Sequence, residues 1–224
     1  MLYNHSMKSQ DPNQEHLQSI INLYTEGQLQ QALSESSQML ERFPNSVILY
    51  NIAGASNAAL MQFDAAIESY KQALRIKPDY AEAYNNMGVA LNDKGDPEAA
   101  IESYKQALRI KPDYADAYNN MGSALKDKGD LEEAIDNYKQ ALRIKPDYAE
   151  GHSNLGAALQ LLNQTEPALA SYEKAISLKK DLNTAISGLG MALLKKGEHS
   201  EGLDKLRQGD GSILFNIKSG LSIK

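Results

Sequence analysis

Residues 67–80 read IESYKQALRIKPDY, and residues 101–114 repeat this stretch letter for letter. Its second part, YKQALRIKPDYA, returns at 138–149. The two full copies start 34 residues apart, at 67 and at 101, and such a fixed period indicates stacked copies of one supersecondary unit. Extended in both directions, the frame predicts an N-terminal segment at 1–12, repeats at 13–46, 47–80, 81–114, 115–148 and 149–182, a degenerate repeat at 183–208, and a tail at 209–224.

Each repeat carries the pattern of two helices joined by a short turn. In the third repeat, apolar and small residues fall at helical spacing in two clusters, 84–91 and 100–108. Between the clusters, Gly95 suits a left-handed helix end, Asp96 suits the cap of the next helix, and Pro97 suits its first turn. The repeating unit is therefore predicted to be a helical hairpin.

The 34-residue hairpin resembles the tetratricopeptide repeat (TPR). The residues that carry this resemblance in the third repeat are Tyr84, Met87, Gly88, Leu91, Ala100, Tyr104, Ala107 and Pro112. The resemblance implies an all-α, right-handed superhelical solenoid of about six helix-turn-helix units. It also implies that the first helix of each unit lines a concave groove, and that the groove binds peptides or proteins.

Glycines and tyrosines also recur at the 34-residue interval. We expect Gly88, Gly122 and Gly156 to allow helices of neighbouring hairpins to approach closely. The aromatic residues that recur at the 34-residue interval are predicted to pack between hairpins; they are Tyr70, Tyr104, Tyr138 and Tyr172.

Composition argues against several classes of function. Lys and Arg number 23 against 29 Asp and Glu, a formal charge of −6, which argues against a nucleic-acid partner. The chain has no Cys, and its four His are scattered, so we expect no metal site, no cofactor and no catalytic centre. The sequence shows neither an export signal nor a long apolar run, so we expect no membrane contact and a cytoplasmic location.

Asparagines recur at the fifth and sixth places of the central repeats, namely Asn85, Asn86, Asn119, Asn120 and, at the sixth place only, Asn154. Their amides complement a peptide main chain, and Asn is a poor helix former, so its repetition needs a reason. The sixth-place set resembles the asparagine ladder in the TPR region of O-linked GlcNAc transferases, which implies that it grips an extended peptide. The alternative is that recently copied repeats share these residues by descent.

Acidic residues accompany the asparagines. Asp93 and Asp127 hold the thirteenth place, and Glu82, Asp116 and Glu150 hold the second place. Together they predict a neutral or basic peptide rather than an acidic C-terminal tail, because an acidic groove attracts cations. The alternative for the second-place residues is that they only favour a helix N-terminus.

The two ends of the repeat array look different from its centre. In the first two repeats the groove places are apolar, forming a stripe of Leu17, Ile21, Tyr24, Ile48 and Ile52. A partner, a second copy of the chain or residues 1–12 could cover this stripe. After residue 208, β-branched and aromatic residues flank a Gly-containing turn and predict a short β-hairpin. We expect a weak homodimer that buries at least one of these two segments.

The preferred function is a non-enzymatic scaffold that holds an extended polypeptide in the TPR groove. A second hypothesis is that the chain is the recognition arm of a fused or associated enzyme, for example a glycosyltransferase-like one. A third is a self-assembling structural rod, since similar repeats can stack end to end.

Overall fold

The computed structural model describes residues 10–210 and, further on, the backbone of 213–216 and 220–223. Within this part of the chain it contains twelve α-helices, which confirms the predicted all-α repeat fold. The chain divides into an N-terminal half, Met1–Pro112, and a C-terminal half, Asp113–Lys224.

The N-terminal half contains three helical hairpins. Its helices are α1 (Gln14–Thr25), α2 (Leu29–Arg42), α3 (Val47–Ala59), α4 (Phe63–Ile76), α5 (Ala81–Lys94) and α6 (Pro97–Ile110). Helices α1 and α2, α3 and α4, and α5 and α6 pair as hairpins, while α2 packs on α3 and α4 packs on α5. Each hairpin therefore contacts the next within this half.

The C-terminal half repeats this arrangement and ends in two short strands. Its helices are α7 (Ala115–Lys128), α8 (Leu131–Ile144), α9 (Ala149–Leu161), α10 (Thr165–Leu178), α11 (Asn183–Lys196) and α12 (His199–Asp210). The strands are β1 (Ile213–Asn216) and β2 (Gly220–Ile223), which pair antiparallel with Ile213 opposite Ile223. Residues 217–219, between the strands, and the side chains of both strands lie outside the described residues, so the predicted β-hairpin and its packing stay predictions.

The turn inside the third repeat forms as its sequence predicts. Helix α5 ends at Gly95, whose φ is 93°, in the left-handed region. The Asp96 side chain then accepts a hydrogen bond from the Ala99 backbone N–H at 3.1 Å, and Pro97 occupies the first turn of α6. Since an Asp cap satisfies an otherwise unpaired helix N–H, this short turn ends one helix and begins the next.

Close glycine–tyrosine packing lies within four of the six described hairpins. Gly122 of α7 faces Tyr138 of α8, so that a Cβ at Gly122 would stand 2.8 Å from a ring carbon. The same arrangement recurs at three further pairs, which are Gly54 with Tyr70, Gly88 with Tyr104, and Gly156 with Tyr172. The prediction that these glycines make the contacts between neighbouring hairpins is therefore wrong. Tyr172 alone of these rings also faces a glycine of the following hairpin, Gly188 of α11.

The fifteenth place of every repeat has a left-handed backbone. Glycine holds it in four repeats, but Met61 (φ 59°) and Asn163 (φ 60°) hold it in the second and fifth. A methionine in this region is strained because its Cβ crowds the following carbonyl oxygen. Met61 is 75% exposed, so packing of its side chain offsets little of this strain.

We expect Met61→Gly to raise the free energy of unfolding by about 0.5–1 kcal/mol, because relief of the left-handed strain outweighs the extra freedom of glycine in the unfolded chain. Denaturant titration followed by circular dichroism measures this change. Met191→Gly is the matched control: Met191 is also an exposed methionine, but it lies inside α11, so its replacement should destabilise the protein. A loss of stability in both variants would contradict the assigned strain.

Candidate functional site

The asparagines of the N-terminal half form a row of linked amides on two first helices. Asn86 of α5 donates from Nδ2 to Oδ1 of Asn51 on α3 at 3.2 Å. Asn85 donates in turn to Oδ1 of Asn86 at 3.3 Å. Asn51 is absent from the predicted site, although it occupies the fifth place of the second repeat and could have been found by reading that place through every repeat.

The C-terminal half contains an equivalent row. Asn154 of α9 donates from Nδ2 to Oδ1 of Asn119 on α7 at 3.0 Å. Asn119 donates to Oδ1 of Asn120 at 3.5 Å, at the limit of a hydrogen bond. In both halves, the sixth-place amide of one repeat bonds the fifth-place amide of the repeat before it. The structure thus links predicted asparagines of neighbouring repeats in the C-terminal half, Asn154 to Asn119. In the N-terminal half it links Asn86 to Asn51, which the prediction did not include.

Burial separates the two places of the row. Asn85 and Asn119, at the fifth place, are each 6% exposed, whereas Asn86, Asn120 and Asn154, at the sixth, are half-buried. An amide offers two N–H groups and two acceptor lone pairs. In the third and fourth repeats the fifth-place amide is therefore the more buried of the two, whereas Asn51, at the fifth place of the second repeat, is half-buried like the sixth-place amides.

The acidic residues of the second place are engaged by groups of their own repeats. Glu82 pairs with Lys111 at 3.8 Å, and Glu150 pairs with Lys179 at 3.0 Å. The hydrogen bond from Lys179 holds the pKa of Glu150 below its usual value. Both lysines follow the second helix of the repeat, so these exposed pairs join the two ends of one hairpin. They leave less charge for a ligand than the sequence suggests.

Asp116, at the same place of the fourth repeat, interacts with a tyrosine instead. Burial, together with the charge and hydrogen bond of Asp116, raises the pKa of Tyr148 well above its usual value. The Lys145 ammonium lies over the same ring, 4.5 Å from its centre. The second place is therefore tied to the end of its own repeat in all three central repeats.

The two aspartates of the thirteenth place have different surroundings. The Oδ1 atom of Asp127 lies 3.5 Å from the Nζ atom of Lys126, with which it forms an ion pair. Asp93 is exposed and has no ion pair or hydrogen bond among the described residues, and partial desolvation raises the pKa of its carboxyl above its usual value. Asp93 borders a cavity of 280 Å³ in the N-terminal half, whose other walls are Tyr24 of α1, Tyr70 of α4, Asn86 and Val89 of α5, and Ala55, Ala58 and Ala59 of α3.

The apolar stripe of the first two repeats lies mostly in a core. Ile52 is 8% exposed and packs in a cluster with Ile20 and Leu49. Leu17, Ile21 and Tyr24 are partly buried against the same cluster, while Ile48 is 38% exposed. Burial of Ile52 explains why the amide row stops at Asn51, since the sixth place of this repeat faces apolar neighbours. That another chain covers the stripe stays a prediction.

Metal clusters and membrane-spanning helices are absent from the described part of the chain. Among the side chains of residues 10–209, no three His, Asp or Glu lie close enough together to hold a metal ion. None of the twelve described helices has the length and apolar character needed to cross a membrane.

Solved structures of similar fold share much of this architecture. TTC0263, a thermophilic TPR protein of Thermus thermophilus, is 27% identical with a TM-score of 0.68, covering 81% of this chain and 98% of its own. MamA is 29% identical with a TM-score of 0.62, covering 70% of this chain and 91% of its own. PilW, a type IV pilus biogenesis factor, is 22% identical with a TM-score of 0.80, covering 90% and 94%, and shows the fold alone.

Family models identify the repeats themselves. A model described as TPR repeat matches residues 59–95, 90–129 and 122–163, and one described as tetratricopeptide repeat matches residues 149–182. A comparison with curated proteins gives no match. The two models together span residues 59–182 without a gap, which is more than half of the 224 residues. The chain therefore belongs to the tetratricopeptide-repeat family.

Proposed function

We propose that this protein is a non-enzymatic scaffold that holds an extended polypeptide through the amides of its first helices. The observation that carries the proposal is the pair of amide rows, Asn51–Asn86–Asn85 and Asn154–Asn119–Asn120. TPR proteins bind peptides or proteins, and the resemblance of the sixth-place residues to the asparagine ladder of O-linked GlcNAc transferases supports the same mode.

The arrangement suits main-chain recognition for a chemical reason. A peptide main chain presents alternating N–H donors and carbonyl acceptors, and an Asn amide can serve both. The bond from Asn86 to Asn51 and that from Asn154 to Asn119 fix the amide planes before a ligand arrives. Fixed amides lose less side-chain entropy on binding, so each hydrogen bond to the ligand contributes more affinity. A neutral or basic polypeptide fits best, because the thirteenth place adds carboxylates.

The amides have a competing explanation, which is that they only join neighbouring repeats. In that case their removal would lower the stability of the protein and leave peptide binding unchanged. Descent of similar repeats from one ancestor makes the same prediction for binding. The test must therefore measure binding and stability separately.

The test uses a fluorescein-labelled eight-residue peptide selected from a random library on the wild-type protein. Replacing Asn86, Asn120 and Asn154 together by Ala should weaken its binding by ~0.5–1.5 kcal/mol per amide, the usual net value of a hydrogen bond. N-methylation of the peptide main chain should weaken binding to the wild type in the same way. Fluorescence anisotropy measures affinity, and thermal unfolding measures the stability of each variant.

A triple alanine variant at Lys71, Lys105 and Lys139 is the control, because these exposed residues recur on the second helices at the same interval. It should bind the peptide as the wild type does. Full binding by a folded asparagine variant would leave a structural or inherited role as the explanation. Failure of the wild type to select any peptide would favour a rod or an enzyme's accessory arm instead.

A further inference from the structure

Asp93 is a carboxylate at the wall of a cavity with no cation paired to it among the described residues. Lys94, its neighbour in sequence, pairs instead with Asp64 on α4 at 2.6 Å. In the next repeat Lys126 precedes the equivalent Asp127 and pairs with it, but Asn92 stands at that place before Asp93. The sequence therefore supplies a neighbouring cation to one thirteenth-place aspartate and not to the other.

The cavity beside Asp93 combines an apolar lining with two polar groups. Its lining includes small apolar residues of α3, Ala55, Ala58 and Ala59, together with the amide of Asn86 and the carboxylate of Asp93. A volume of 280 Å³ is several times the roughly 30 Å³ that one water molecule occupies in the liquid. The cavity therefore has room for a ligand side chain larger than a methyl group.

Charge and an apolar lining together select the chemistry of that side chain. Asp93 is exposed, so a cation that enters the cavity can reach its carboxylate and form an ion pair with it. Lysine and arginine carry an aliphatic stem that packs on apolar surface and a cationic head that reaches a polar group. An acidic side chain would be repelled by Asp93, and a purely aliphatic one would form no ion pair with it.

We propose that the cavity between Tyr24 and Asp93, here the Asp93 pocket, binds one lysine or arginine side chain of the polypeptide. The stem lies along the alanines of α3, and the cationic head pairs with the Asp93 carboxylate. The pocket rests on the proposed function for its biological ligand. It adds a specific side-chain contact to main-chain binding by the amides, and it places that contact in the N-terminal half.

The pocket can be tested with single amino acids, without any peptide. We titrate three probes into isotope-labelled full-length protein: Nα-acetyl-lysine N-methylamide, its arginine analogue and its norleucine analogue. Side-chain signals of Asn86 and methyl signals of Ala55 and Ala58 report binding in nuclear magnetic resonance spectra. We expect saturable shifts with the lysine or arginine probe and at least tenfold weaker binding of norleucine, which has the stem of lysine without its charge.

Two variants and a control define the outcome. Asp93→Asn should weaken the binding of the cationic probes at least tenfold and change the binding of norleucine by less than twofold. The control variant Asp127→Asn should change the binding of either kind of probe by no more than twofold. Ala59→Leu, which reduces the volume of the Asp93 pocket and keeps the carboxylate, should weaken the binding of all three probes. Absence of shifts with both cationic probes, or equal effects of Asp93→Asn and Asp127→Asn, would overturn the proposal. Cationic binding at Asp93 together with unchanged peptide affinity of the triple asparagine variant would refute main-chain recognition and leave the pocket standing.

Discussion

Replacing Tyr138 by Ala should lower the free energy of unfolding by about 3–5 kcal/mol, the range for removing a fully buried aromatic ring. The ring is 0% exposed between α7 and α8 and packs against Gly122. Its hydroxyl lies 3.1 Å from Oγ of Ser123, and burial raises the pKa of Tyr138 to about 12. Its removal would leave a cavity at the centre of the fourth hairpin, because the backbone of Gly122 cannot fill the space.

The reciprocal change tests the same contact from the other helix. Gly122→Leu should cost about 1–3 kcal/mol, since the new side chain would meet the Tyr138 ring and also the carbonyl oxygen of Ala134 at 3.1 Å. In the double variant the leucine enters the space that the ring vacates. The double variant should therefore lose less stability than the two single variants lose when their losses are added.

Denaturant unfolding of the four proteins in this cycle gives the coupling energy directly. Ala170→Leu on α10 is the control for adding a leucine, because Ala170 is exposed and the change should alter stability little. Additive losses in the double variant would mean that Tyr138 and Gly122 do not share one packing site. Wild-type stability of Gly122→Leu would show that the repeat frame itself is misassigned.

The sequence was sufficient for the hairpins because their signals are local. The 34-residue period, the glycine at the end of α5 and the Asp96 cap with Pro97 each act within one repeat, so a single copy specifies its own turn. The position of Asn86 and Asn154 could also be read from the repeat frame. Their hydrogen-bond partners one repeat earlier could not, because helical spacing gives a residue's face but not its neighbour.

Three features depended on contacts that a period does not encode. The frame shows that Gly122 and Tyr138 recur together, but not that they meet within one hairpin. The left-handed turn at Met61 has no glycine to reveal it, and only the equivalent glycines of other repeats indicate its backbone. The sequence places Lys94 directly after Asp93, but it does not show that Lys94 pairs with Asp64 instead, whereas Lys126 pairs with Asp127.

The second large change in stability is expected at the sixth place of the second repeat, next to Asn51, where the amide row ends. Ile52 stands where the next three repeats have asparagine, so Ile52→Asn would restore the repeat pattern. By the pattern alone this change would extend the row towards the N-terminus. The structure predicts the opposite, because Ile52 is 8% exposed and packs against Ile20 and Leu49, which offer an amide no hydrogen-bond partner in their side chains.

We expect Ile52→Asn to destabilise the protein by about 2–5 kcal/mol, which combines lost apolar burial with the cost of a buried, unsatisfied amide. Ile48→Asn is the control on the same helix: Ile48 is 38% exposed, and we expect a loss below ~1 kcal/mol there because water can hydrate the new amide. Thermal and denaturant unfolding measure both changes. Equal small losses would mean that Ile52 faces solvent or a ligand, as its place in the repeat suggests, and that the amide row has no structural reason to stop at Asn51. A large loss at Ile52 alone would instead show that the N-terminal hairpins use this place to build their core, and that ligand contacts begin with Asn86.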